Sequence, residues 1–234
     1  QGGRNVEIKR IMVIGAGFMG SGIAQVMAAA GYDVVLMDVA DGFVRKGMAA
    51  IEKNLAGSVA KGKLAEADKA ATLGRIIATT ELTPAGDCDL VIEAIIENKQ
   101  AKMDLYRQLE EICPPHVLFA SNTSSIPITE LATATKRPDR FAGMHFFSPV
   151  PVMKLVEIIR GLKTADATIQ VIRELTERIG KVGVFVKDGP GFLVNRVNAA
   201  LRNEVYNCLA EGVATIEDID KALKFGLGHP MGPF

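Results

Sequence analysis

An excess of charge of either sign is missing. The 27 Lys and Arg balance the 27 Asp and Glu, so no global field draws in nucleic acid or an anionic membrane surface. Any anionic ligand must be held by local features. Cysteine is scarce: Cys88, Cys113 and Cys208 are odd in number, far apart and without the close pairing of zinc or redox motifs, which points to a reducing cytosol. Long apolar runs are absent as well. Stretches such as residues 90–92 and 182–186 are too short to span a bilayer, and no apolar signal segment opens the chain. A soluble, cytoplasmic protein with no metal, membrane or nucleic-acid partner is expected. The chain also lacks an initiating methionine, opening Gln1-Gly2-Gly3, and it stops at Pro233-Phe234, so it reads as trimmed at both ends.

What is present is enough apolar material, 48% of 234 residues, for one large domain and part of a second. Ile11-Met12-Val13-Ile14, a helical stripe at Ile23, Val26, Met27 and Ala30, and Val34-Val35-Leu36-Met37 together form a βαβ signature. Residues 42–74 read as a helical excursion. Ile76-Ile77, Leu90-Val91-Ile92 and Val117-Leu118-Phe119 then look like strands of a mostly parallel sheet. Further strands are predicted over 141–146, 152–159 and 182–186, with a helix over 166–179 between the last two. From Pro190-Gly191 the pattern turns purely helical, with a stripe at Val194, Val197, Leu201 and Val205 and a second helix starting near Thr215. The expected fold is therefore α/β, a Rossmann-type domain over residues 1–189, followed over 190–234 by the start of a helical substrate and dimerisation domain.

Gly15-Ala16-Gly17-Phe18-Met19-Gly20 follows a predicted strand and opens a predicted helix, the context that makes this glycine pattern specific for a dinucleotide. Gly15 makes the tight turn, Gly17 lets the backbone approach a pyrophosphate, and Gly20 lets helix and strand pack closely; Phe18 and Met19 open the helix at the phosphates. Asp38 ends the next strand, where a carboxylate accepts both hydroxyls of an adenine ribose and repels a 2′-phosphate. The nearest following arginine is Arg45, so NAD is expected rather than NADP.

Ser121-Asn122-Thr123-Ser124-Ser125 clusters hydrogen-bonding side chains at the carboxyl end of a buried strand, where open α/β sheets bind ligands. Ser124 is the better ligand candidate, because Ser125 can equally cap a helix before Ile126-Pro127. Of three histidines, only His145 ends an apolar strand. Spacing alone leaves it balanced between a core histidine and an acid/base group. In Met153-Lys154-Leu155-Val156-Glu157-Ile158-Ile159, alternation puts Glu157 on the apolar face of Leu155 and Ile159, where a carboxylate needs a partner. His145, across the turn at residues 149–151, is a plausible one.

Several blocks in order resemble the L-3-hydroxyacyl-CoA dehydrogenase family, which includes the 3-hydroxybutyryl-CoA dehydrogenases, along essentially the whole chain. They are Val13-Ile14-Gly15-Ala16-Gly17 with Met19-Gly20, Glu93-Ala94-Ile95-Ile96-Glu97-Asn98, the hydroxyl-rich run 121–125, His145-Phe146-Phe147 through Leu155-Val156-Glu157, Gly189-Pro190-Gly191-Phe192 to Asn195-Arg196, and Gly228 through Met231-Gly232-Pro233-Phe234. The resemblance implies NAD-dependent, reversible oxidation of L-3-hydroxyacyl-CoA to 3-ketoacyl-CoA, in fatty-acid oxidation or butanoate metabolism. It implies His145 as the base, Glu157 as its orienter, and Ser124 and Asn195 as holders of the reacting oxygen. By the same resemblance Glu97 and Lys102 fall where the family meets its cofactor, though both read equally well as solvated helix charges. Lys61 falls near a position beside coenzyme A phosphates, where a surface lysine is the favoured reading. A homodimer is also implied. Ser148 departs from the pattern, since many relatives carry asparagine there, which implies an altered cofactor or oxygen contact with the chemistry retained.

The closest rival, the 3-hydroxyisobutyrate and 6-phosphogluconate dehydrogenase type, shares the glycine loop but uses a lysine as acid/base, and the block joining His145 to Glu157 argues against it. A protein that keeps the fold without turnover is disfavoured by the intact set Ser124, His145, Glu157 and Asn195. A module of a multifunctional fatty-acid oxidation protein remains compatible with the trimmed ends.

Overall fold

The computed structural model describes residues 7–234, so the opening Gln1-Gly2-Gly3 lies outside the described residues. Two compact units meet in sequence at Pro190 and Gly191.

The first unit opens with β1 (Arg10–Ile14), α1 (Phe18–Ala29) and β2 (Asp33–Met37). Helices α2 (Asp41–Ala60) and α3 (Glu66–Gly74) follow, where the sequence pattern reads as one excursion. The break is at Gly62, whose φ of +66° suits a residue without Cβ. Then come β3 (Ile76–Thr79), β4 (Leu90–Glu93), α4 (Lys99–Ile112), β5 (Leu118–Ser121), the short α5 (Ile128–Ala132), β6 (Phe141–Phe146), β7 (Leu155–Arg160), α6 (Asp166–Arg178) and β8 (Val182–Lys187). The strands form one sheet in the order β3-β2-β1-β4-β5-β6-β7-β8. All neighbours are parallel except β6 and β7, which are antiparallel. This is the Rossmann-type arrangement that the continuous apolar runs require, because parallel strands are covered on both faces. Strand order reverses between β1 and β4, which places the ligand crevice outside their carboxyl ends.

β7 begins at Leu155, three residues later than the predicted strand at 152. The amides of Val152 and Met153 both donate to the Pro149 carbonyl, closing a turn over residues 149–153 before the ladder starts. On the first unit's other helical layer, α4 buries Lys102, Tyr106 and Leu109 on one face, and the Tyr106 ring packs edge-on to Phe141 with centroids 4.6 Å apart.

The second unit contains α7 (Val194–Ala210) and α8 (Ile216–Lys221), followed by a five-residue π turn, Ala222–Gly226. Thr215 caps α8 by accepting the Asp218 amide at 3.2 Å. Phe192, Val205 and Ile219 are its buried apolar residues, whereas Val197, Val213, Phe225, Leu227 and Met231 are exposed. Among the described residues, no helix is long and apolar enough to cross a membrane.

Candidate active site

Gly15 lies at the carboxyl end of β1 with φ +101°, and a Cβ there would come within 2.5 Å of the Ala94 carbonyl oxygen just after β4. Gly20 presses on the same turn: its Cβ would lie 1.7 Å from the Gly15 oxygen. Both positions therefore exclude a side chain. Gly17 has no such neighbour within 4 Å and is the N-cap of α1, with no side-chain cap and no acidic residue in the first turn. Phe18 projects into solvent and Met19 is partly buried beside the core. The first-turn amides and the positive end of the helix dipole are thus left to an outside anion. Asp38, half-buried after β2, accepts the Ala16 amide at 2.7 Å through one oxygen and the Val39 amide at 2.7 Å through the other. Those bonds orient the carboxylate while leaving lone pairs for further donors. An open backbone cradle followed by an oriented carboxylate fits a dinucleotide with a free ribose hydroxyl pair.

At the carboxyl end of β5, the hydroxyl-rich loop is gathered by one carboxylate. Glu97 accepts the Thr123 hydroxyl at 2.5 Å, the amides of Ser124 and Ser125 at 2.9 and 3.0 Å, and the hydroxyls of Ser124 and Ser125 at 3.3 and 3.0 Å. Burial alone would raise its pKa, but the Thr123 hydroxyl, the Lys102 charge and the loop donors outweigh that and hold it at about 2. Glu97 therefore lies in the loop before α4 as an anion tied to the serine loop by its donors, with its side chain still 37% exposed. Lys102 is no surface charge. It is 1% exposed, and its Nζ lies 2.5 Å from Glu93 Oε1 and 3.4 Å from Glu97 Oε2. The capping role considered for Ser125 goes elsewhere: Asp188 accepts the Ile128 and Thr129 amides at the start of α5, and Thr123 accepts the Ile126 amide.

His145 and Glu157 are register partners across β6 and β7, with Nδ1 2.7 Å from Oε2. Glu157 is fully buried and His145 nearly so, with the Phe147 ring 4.6 Å from the imidazole. A carboxylate in that setting fixes the imidazole's tautomer and orientation. Asn122, which the sequence pattern did not single out, links this strand to the loop, its Oδ1 accepting the Phe146 amide at 2.9 Å. Glu93 was likewise not singled out, although a lone carboxylate closing the apolar run 90–92 is the same signal that drew notice to Glu157. Lys61 is exposed at the C-cap of α2, about 30 Å of helix from Asp41. Asn195 is exposed in the first turn of α7, in the second unit.

Residues 10–189 match the family model described as 3-hydroxyacyl-CoA dehydrogenase, NAD binding domain, and residues 191–234 match the one described as 3-hydroxyacyl-CoA dehydrogenase, C-terminal domain. The chain is 52% identical over 221 residues to a probable 3-hydroxybutyryl-CoA dehydrogenase of Deinococcus radiodurans, covering 94% of this chain and 79% of the relative. It is 45% identical over 238 residues to the mitochondrial hydroxyacyl-coenzyme A dehydrogenase of Homo sapiens, covering 99% and 76%. The crystal structure of the (S)-3-hydroxybutyryl-CoA dehydrogenase from Ralstonia eutropha superposes with a TM-score of 0.95 at 47% identity, covering 97% of this chain and 80% of that one.

Proposed function

The chain belongs to the 3-hydroxyacyl-CoA dehydrogenase family, and we propose that His145, oriented by Glu157, is the acid/base group of its reaction. The protein is an NAD-dependent oxidoreductase that interconverts L-3-hydroxyacyl-CoA and 3-ketoacyl-CoA. The observation that carries the assignment is the 2.7 Å contact between a nearly buried imidazole and a fully buried carboxylate. When bound, NAD supplies the hydride acceptor, held by the glycine loop from Gly15 to Gly20, with Phe18 and Met19 at its helix entry, and by Asp38. His145, neutral at Nε2, takes the substrate hydroxyl proton, and Glu157 stabilises the imidazolium that results. In the reverse direction the same imidazolium returns the proton. Ser124 turns its single hydroxyl proton from Glu97, a long 3.3 Å partner, to the reacting oxygen, and family resemblance adds Asn195 as its second holder. Glu97 and Lys102 act from beneath the serine loop. Lys61, near the coenzyme A phosphates by resemblance, has the weakest support, since a surface lysine is the favoured reading for this exposed residue.

We also propose a homodimer, formed through the helical residues 190–234, where Val197, Phe225 and Met231 expose apolar surface. A cytoplasmic location is supported by three cysteines that are all free.

The test of the acid/base assignment is acetoacetyl-CoA reduction with NADH, compared between the native protein and His145→Gln. Turnover should fall by roughly a hundred- to ten-thousandfold with NADH affinity retained. A variant that keeps most of its turnover would overturn the assignment.

A further inference from the structure

Beneath the serine loop lies a set of buried charges that the proton transfer does not use. Glu93 ends β4 and faces Ser121 of β5 in register. It is fully buried, and both of its oxygens are engaged. Oε1 accepts the Ile95 amide at 2.9 Å and the Lys102 ammonium at 2.5 Å. Oε2 accepts the Ser121 hydroxyl at 2.7 Å and the Tyr106 hydroxyl at 3.5 Å. Lys102 also donates to the Ile95 carbonyl at 3.3 Å and approaches Glu97 at 3.4 Å.

Two routes run from this carboxylate to the same loop. The first passes through Lys102 to Glu97, which collects the donors of residues 123–125. The second passes through Ser121, whose hydroxyl oxygen accepts the Thr123 amide at 3.2 Å while its proton goes to Glu93. A buried ion pair is a weak source of stability, because desolvating both charges offsets most of their attraction. What it does well is fix direction, since each charge has only one favourable position. Without Glu93, Lys102 would have Glu97 as its remaining carboxylate partner and would be drawn toward that carboxylate's exposed side. Ser121 would lose the acceptor that sets its hydroxyl.

We propose that Glu93 is a positioning residue for the dehydrogenation: through Lys102 and Glu97 on one side, and through Ser121 and Thr123 on the other, it presents Ser124 in a single geometry. The proposal rests on the role given above to Ser124.

The experiment is a kinetic cycle in the native chain with Glu93→Gln, Ser124→Ala and the double variant, measuring kcat and KM for NADH during acetoacetyl-CoA reduction. Glu93→Gln should lower kcat about ten- to a hundredfold, the scale of an ångström-level misplacement. KM for NADH should stay within about twofold, because the adenosine half is held elsewhere. In the Ser124→Ala background the same substitution should cost almost nothing further, since groups acting as a unit are not additive. Losses that multiply cleanly, or native kcat in folded Glu93→Gln, would overturn the proposal. Native turnover in Ser124→Ala would instead defeat the role of Ser124, and the proposal with it. If Glu93→Gln does not fold, the pair Glu93→Gln/Lys102→Met, which leaves neither charge buried alone, takes its place in the cycle. Loss of fold in both would assign Glu93 to structure only and overturn the proposal.

Discussion

Gly22 of α1 and Val150 of the turn between β6 and β7 approach so closely that a Cβ on Gly22 would lie 2.8 Å from the Val150 Cβ. Lys181 holds the same turn, its Nζ donating to the carbonyls of Val150 and Met153 at 2.6 and 2.7 Å. The helix that opens the phosphate loop is thereby keyed to the turn that follows His145. Gly22→Ala should overpack this contact and destabilise the protein by about 1–3 kcal/mol. Thermal denaturation reads the effect directly. An unchanged Tm would mean that the turn yields without cost and that the two elements are not keyed.

Asp38 should decide between the two nicotinamide cofactors. Its carboxylate is oriented by the Ala16 and Val39 amides, and a 2′-phosphate placed against it would meet like charge. NADH should therefore be used far better than NADPH, and Asp38→Asn should weaken NADH binding and narrow the gap. Ratios of kcat/KM for the two cofactors measure both effects. Equal rates with the native protein would remove the basis for placing the ribose at Asp38.

Glu97 gives the fold an acid-sensitive element. Its pKa stands at about 2 in the folded state against an ordinary 4.5. A carboxyl with a depressed folded pKa contributes stability that is present above about pH 4.5 and is lost as pH falls toward 2. The native protein should lose Tm through that window more steeply than Glu97→Gln, whose side chain does not titrate. Parallel Tm profiles would show that the loop donors do not favour the carboxylate.

Much of this could be read from the sequence because its causes are local. The apolar runs at 11–14, 34–37 and 90–92 are buried parallel strands, and the spacing of Gly15, Gly17 and Gly20 reports a turn that excludes side chains. Glu157 stood out because alternation places a carboxylate on an apolar face, and its register partner is His145. Lys102 was ambiguous for the opposite reason. It sits among polar residues in Lys99-Gln100-Ala101-Lys102, and its burial is set by Glu93 on a neighbouring strand. The capping of α5 by Asp188, 60 residues from Ile128, has no local signature at all. Neither does the turn that delays β7, because it depends on which amides reach the Pro149 carbonyl.

The last prediction concerns His145 and Glu157 as one unit. Because their 2.7 Å contact is sequestered from water, the carboxylate acts on the imidazole with little screening. Glu157→Gln keeps the shape and a hydrogen-bonding group at that place but loses the negative charge that stabilises the imidazolium. It should lower turnover less than His145→Gln does, because the base itself remains. The double variant should be little worse than His145→Gln alone, since without the imidazole there is nothing for residue 157 to orient. Steady-state kcat for the four proteins, with circular dichroism confirming that each is folded, completes the cycle. If the two losses multiplied, Glu157 would be acting independently of His145, and the carboxylate's role as orienter of the base would have to be given up.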